Sequence, residues 1–180
     1  MKRFIITIAL ACVAVFSFAQ SSPLLRPRVE IAEISSEENN TQLEVFYMND
    51  VEPRMYWLSV GNLGVGTDLL QVNFDPVFEL FIPLGENLDE VVARMEEIKA
   101  LFKMQKGEST EIQGCFAVAY PNDNLETVTV TYRKGIAARM LEFSIPTASD
   151  GIVRATYIHK MDFGSILSGV KFYRKLHPNQ

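Results

Sequence analysis

Apolar residues between positions 88 and 102 recur at steps of three and four, which predicts an amphipathic α-helix. The stripe consists of Leu88, Val91, Val92, Met95, Ile98, Leu101 and Phe102. Asn87 suits the N-cap, Glu90 occupies the position of a capping-box acid, and Gly107 offers a left-handed residue to end the helix. A helix with one apolar face needs a partner surface, and a sheet is the expected one.

Strand patterns separated by short polar turns flank this helix on both sides. They cover residues 29–34, 43–48, 55–60, 69–74 and 77–82 before the helix and residues 112–120, 125–133, 139–145 and 152–159 after it. Between positions 127 and 132, threonines alternate with valine and tyrosine, as in a strand with one buried and one solvated face. Short connections favour an antiparallel meander, so the sequence predicts an α+β fold with the helix packed on one face of the sheet.

The last segment, residues 162–176, fits two patterns. Its apolar residues at helical spacing are Phe163, Ile166, Leu167, Val170 and Tyr173. We predict a second, C-terminal helix on this basis, capped by Asp162. The alternative is a strand over residues 170–176, which alternate with period two, and Gly164 and Gly169 would each cost a helix about 1 kcal/mol.

The first residues have the pattern of a secretory signal. Lys2 and Arg3 precede an almost wholly apolar stretch, and Ser17 and Ala19 are the small residues that signal peptidase requires. We therefore predict a signal peptide over residues 1–19, a flexible leader over 20–28 and one α+β domain over 29–180. The expected location is the periplasm or exterior of a Gram-negative bacterium. Lipidation at Cys12 is the alternative, although Ala9 stands where a lipidation box usually has a large aliphatic residue.

Charge and cysteine content narrow the classes of function. The chain has 17 basic and 22 acidic residues, and its net charge of −5 argues against a nucleic-acid partner. No later stretch is apolar enough for a transmembrane segment. With Cys12 removed, Cys115 has no intramolecular disulfide partner, and its small and apolar neighbours predict a buried structural thiol.

Candidate catalytic and metal-binding residues are few. His159 and Asp162 are weak candidates for a general base and its orienting carboxylate, with Ser165 or Ser168 as nucleophile. The structural interpretation is that His159 ends a strand and Asp162 begins the next element.

Loop and charge patterns add no cofactor or metal site. The glycine loop at Gly61, Gly64 and Gly66 lacks the order of a nucleotide-binding loop and indicates a turn. Neither His159 with His177 nor the acids Glu30, Glu33, Glu37 and Glu38 have a metal-binding spacing, so no cofactor or metal is predicted.

Aromatic residues carry the remaining functional signal. Those at Tyr47, Tyr56, Trp57, Phe78 and Phe81 would form a surface or pocket for a partner protein, a glycan or a hydrophobic ligand. The basic residues Lys171, Arg174, Lys175 and His177 suit either a helix C-terminus or an anionic membrane surface.

Three hypotheses of function remain open. The preferred one is an exported, non-catalytic binding or accessory domain of the bacterial cell envelope. The alternatives are a carrier of a small hydrophobic ligand between helix and sheet, and a small hydrolase that uses His159.

Overall fold

The computed structural model describes residues 27–36, 41–50, 52–61, 79–119, 122–135, 138–146 and 153–178. Within these ranges it contains the strands β1 (Arg28–Ser36), β2 (Thr41–Met48), β3 (Tyr56–Gly61), β4 (Glu79–Gly85), β5 (Ser109–Ala119), β6 (Asn122–Lys134), β7 (Arg139–Pro146) and β8 (Val153–His159). Helix α1 (Leu88–Ala100) follows β4 and continues as a 3-10 turn over Leu101–Lys103, and helix α2 (Lys160–Leu176) follows β8. The described chain therefore runs twice through four strands and a helix.

The strands form one sheet in which each strand pairs with its neighbours in sequence. Every pairing is antiparallel, which confirms the predicted meander and the α+β class. Both helices pack on the same face of the sheet, so the protein has one layer of strands and one layer of helices.

Helix α1 forms where the apolar stripe predicts it. The side chain of Asn87 accepts a hydrogen bond from the backbone N–H of Glu90 at 3.0 Å, which confirms the N-cap. The Glu90 carboxylate reaches back to the backbone N–H of Glu86 at 2.8 Å and thus stabilises the entry to the helix. The prediction that Gly107 ends the helix is wrong, because α1 ends at Ala100. Gly107, with a φ of +84°, instead turns the chain toward β5.

Helix α2 is the predicted C-terminal helix, and the alternative strand does not form. Its N-cap residue is His159 and Asp162 lies in its first turn, so the prediction that Asp162 is the cap is wrong by one turn. Packing against the sheet explains why residue 169 is a glycine. A Cβ there would lie 3.2 Å from the Cβ of Ala32 on β1. The glycine therefore permits a close approach of α2 to the sheet.

The hydrophobic core fills the space between the sheet and the helices. The helices contribute Leu88, Val91, Met95, Ile98, Phe163, Ile166, Leu167 and Val170, all of which are buried. Strand residues such as Leu43, Leu58, Ile82 and Val130 face them. Each fully buried side chain of this size contributes roughly 1.5–3 kcal/mol, which explains how the fold persists without a disulfide among the described residues.

Several predictions fall on residues outside the described ranges. They are the signal peptide, most of the leader, Cys12, Glu37, Glu38, Gly64, Gly66, Phe78 and the strand at 69–74. The strand predicted at 77–82 is described from Glu79 onward, as β4.

Candidate functional site

The proposed catalytic pair lies at the junction of β8 and α2. His159 is partly buried at the end of the strand, and Asp162 is in the first turn of the helix. Ser165 donates a hydrogen bond to the carbonyl of Met161 at 3.1 Å, and Ser168 donates to the carbonyl of Gly164 at 2.8 Å. Both hydroxyls are thus engaged with their own helix, which favours a structural role for the two serines.

The aromatic residues predicted to share a surface lie on opposite faces of the sheet. Tyr47 and Tyr56 are buried beneath the helix layer, with ring centroids 5.2 Å apart. Arg54 lies over the Tyr47 ring at 4.4 Å and is 3.5 Å from the Tyr56 hydroxyl, a contact that raises the pKa of the Arg54 guanidinium. Trp57 and Phe81 point to the opposite face, because neighbouring residues of a strand alternate between the two faces.

An outer aromatic cluster occupies the face of the sheet that the helices leave uncovered. It consists of Phe46, Met48, Phe81 and Phe116, with Trp57 packed against it. The rings of Phe46 and Phe81 meet edge to face at 5.9 Å, and the Arg28 guanidinium lies 4.6 Å from the Phe46 centroid. The Trp57 indole Nε1 is buried and makes no hydrogen bond within the part of the chain that the structure describes.

The Cys115 side chain has the chemistry of a structural residue. The Cys115 thiol is fully buried, and burial raises its pKa to about 12, which keeps it neutral.

The described residues bring together no group of three or more His, Cys, Asp or Glu side chains that would hold a metal ion. No helix in the described ranges is both long and apolar enough to span a bilayer.

Three of the four basic residues near the C-terminus contact other side chains of the protein. Lys171 pairs with Glu96 of α1, and Arg174 pairs with Asp89 at 2.5 Å. The His177 ring stacks on Tyr173 with the centroids 4.1 Å apart. The two ion pairs join the two helices, and the three contacts together account for three of the four residues that the sequence suggested for a membrane surface.

The outward face of α2 carries an exposed apolar stripe that sequence reasoning missed. Met161, Phe172 and Leu176 are 83%, 64% and 60% exposed, whereas long apolar side chains elsewhere in the described core are buried. Ser165 and Ser168 lie between them on the same face. We call these five residues the α2 outer stripe.

The stripe follows from the inward face of the helix. Phe163, Ile166, Leu167 and Val170 are buried against the sheet, and at 3.6 residues per turn the stripe positions fall on the opposite side. The helical period of the sequence is therefore the signal from which this exposed stripe could have been predicted. It was obscured because Phe172 also fits the alternating strand pattern of residues 170–176.

The α2 outer stripe has the properties of a contact surface. It offers large apolar side chains at both ends and small ones in the middle, where the serine hydroxyls are satisfied by their own helix. Covering such a stripe removes apolar area from water without leaving an unpaired polar group. No family model, curated protein or solved structure matches the chain.

Proposed function

We propose that the protein is an exported, non-catalytic binding domain of a bacterial cell envelope and that it binds its partner through the α2 outer stripe. The observation that carries this proposal is the exposure of Met161, Phe172 and Leu176 on one face of one helix. Single exposed apolar residues are ordinary, but three large ones aligned on one face of a helix suit a contact with another protein. Phe172 is the expected anchor, because aromatic side chains dominate the energetics of such interfaces.

The packing of the helix–sheet layer favours this function over a carrier. A carrier would hold its ligand between the helices and the sheet. That layer is filled by fully buried side chains, including Met95, Phe163 and Ile166. A ligand there would have to displace them, at a cost of several kcal/mol per large side chain.

The contacts of the polar residues likewise favour binding over hydrolysis. Ser165 and Ser168 donate to carbonyl groups of their own helix, and the Cys115 thiol is neutral and buried. A hydrolase that works through a serine or cysteine nucleophile would require one of these groups to be activated by a neighbouring base. The His159 hypothesis therefore has no nucleophile that the described contacts support.

Site-specific photo-crosslinking in the cells that make the protein tests the proposal. A photoreactive phenylalanine analogue replaces Phe172 in one variant and Tyr157 in a matched control. Tyr157 is an exposed aromatic residue on the opposite face of the sheet. We expect one crosslinked product of defined mass from position 172 and none from position 157. Equal or absent crosslinking at the two positions would contradict a binding role for the α2 outer stripe.

A further inference from the structure

The outward faces of the two helices have opposite chemical character. The outward face of α1 carries the acids Asp89, Glu90 and Glu97 with the small residues Ala93 and Ala100, all exposed. The outward face of α2 carries the apolar residues of the α2 outer stripe, with the exposed lysines Lys160 and Lys175 at its two ends. Asp89 and Glu97 pair with Arg174 and Arg94 of the same chain, so the α1 face is shallow and mildly acidic, and the α2 face is apolar with basic ends.

Contacts between the helices fix their relative direction and show which residues of the two helices lie side by side. Asp89, at the start of α1, pairs with Arg174 near the end of α2. At the other end, Phe102 lies 6.0 Å from the Phe163 ring. The helices are thus antiparallel. Counting along both from these contacts places Ala93 level with Phe172, and Ala100 level with Ser165.

We propose that the partner bound by the α2 outer stripe is a second copy of this chain, docked helix layer against helix layer. This inference rests on the proposed function, since it uses the same surface. The two copies are related by a two-fold axis parallel to the helices and midway between them. Rotation about that axis leaves the position of each residue along the helices unchanged. Helix α2 of each copy therefore lies along α1 of the other.

The side chains that then face one another are complementary in size. Phe172 lies over the partner's Ala93, where the small side chain leaves room for the ring. Ser165 lies over the partner's Ala100, and two small residues allow the helix backbones to approach closely. The serine hydroxyl already donates to the Met161 carbonyl, so burial leaves it satisfied.

Charge selects this arrangement over the other symmetric one. Lys175 comes to lie beside the start of the partner's α1, where the exposed acids Glu86, Asp89 and Glu90 outnumber Arg174, the cation that pairs with Asp89 in the same chain. A two-fold axis across the helices would instead place α2 on α2 in antiparallel fashion. With the two stripes matched end to end, that arrangement brings Lys160 next to the partner's Lys175 and takes Lys175 away from the acids of α1. Like charges at such a contact are unfavourable.

Directed disulfide formation between copies tests the arrangement. An Ala100→Cys variant is mixed with a Ser165→Cys variant under mild oxidation. Both positions are exposed, and native Cys115 is buried and does not compete. We expect a disulfide-linked dimer from the mixture and little from either variant alone. A mixture of Glu111→Cys with Ser165→Cys gives the collision background, because Glu111 is an exposed residue of the sheet, outside the helix layer.

Two results would overturn the arrangement. One is a yield from the Ala100→Cys and Ser165→Cys mixture no greater than the background. The other is efficient crosslinking of Ser165→Cys alone, which would place α2 against α2.

Sedimentation of the purified protein separates failure of this inference from failure of the proposed function. We expect a dimer that Phe172→Ser weakens at least tenfold, while Tyr157→Ser, on the other face, leaves its dissociation constant unchanged. A monomer at all concentrations, together with crosslinking of position 172 to a different protein in cells, would overturn the dimer and leave the binding function intact. A monomer with no crosslinked product would overturn both.

Discussion

Cys115 shows how burial decides the chemistry of a single residue. Its thiol lies in the core, where loss of water raises the pKa to about 12, and the positive charge of Arg94 offsets only part of that effect. A thiol is nucleophilic only as the thiolate. The sequence predicted a buried structural thiol from the small and apolar neighbours of Cys115, and the structure confirms the burial.

We expect Cys115 in the folded protein to react with a disulfide reagent at pH 8 about a thousandfold more slowly than in the urea-unfolded chain. The thiolate fraction falls about tenfold for each unit by which the pKa rises. Peptide mass spectrometry after timed labelling measures the two rates. Comparable rates in the two states would contradict the burial of this thiol.

Glu142 and Arg133 form a bidentate ion pair between β7 and β6. Two hydrogen bonds of 3.0 and 2.9 Å join the guanidinium to the carboxylate, and they hold the pKa of Glu142 below its usual range. Because Arg133 is about half exposed, solvent screens the pair, and its contribution to stability is small.

The pH dependence of the Glu142→Gln variant tests this pair. A carboxylate with a lowered folded pKa stabilises the protein above its ordinary pKa, and that stability is lost as the pH falls through the folded value. We therefore expect the free energy of unfolding to be about 0.5–1 kcal/mol lower for Glu142→Gln at pH 7. The difference should shrink as the pH is lowered toward 3, in urea titrations of both proteins. Arg133→Gln and the double variant complete the cycle, and a difference independent of pH would contradict the assignment.

At the scale of elements, the two glycines of α2 have different surroundings. A Cβ added at Gly164 meets no atom within 4 Å, whereas one added at Gly169 would lie 3.2 Å from Ala32 on β1. Only the second glycine is required by packing. The first lowers the stability of the helix without providing a close approach in return.

We expect Gly164→Ala to raise the free energy of unfolding by about 0.5–1 kcal/mol, because alanine loses less backbone entropy in a helix. Gly169→Ala should show no such gain, since the added methyl group presses on β1. Urea unfolding of the two variants side by side measures the contrast. Equal stabilisation by both substitutions would contradict the close packing of α2 on β1.

The elements were more predictable from sequence than the surfaces they create. Helix α1 and the meander follow from periodicity, since apolar residues at period 3.6 or 2 have to face a common core. The aromatic residues illustrate the limit. Alternation places the neighbours Tyr56 and Trp57 on opposite faces, but it does not reveal that the helices cover the Tyr56 side.

The exposed stripe of α2 escaped prediction for a related reason. Recognising Met161 and Phe172 as outward-facing requires knowing that residues 160–176 form a helix and which of its sides meets the sheet. The sequence left both helix and strand open for this segment. Hydrophobic residues on the solvent-exposed face of a helix are recognised only after its buried face is known.

For the whole molecule, the layered architecture separates its surfaces. One face of the sheet is closed by the helices, and the other carries the outer aromatic cluster around Phe46 and Phe81. The outward surface of the helix layer combines exposed apolar side chains on α2 with acids on α1. The proposed binding function depends on this third surface, and the core beneath it supplies the rigidity that a contact site needs.

Oxidative footprinting tests most directly whether that surface is covered where the protein acts. The oxidation rates of Met161 and Phe172 are compared in intact cells and in the purified protein at high dilution. Buried Met95 and exposed Tyr157 serve as internal references. We expect Met161 and Phe172 to be protected several-fold in cells while both references react equally in the two samples. Equal reactivity of Met161 and Phe172 in cells and in dilute solution would contradict a binding role for the α2 outer stripe.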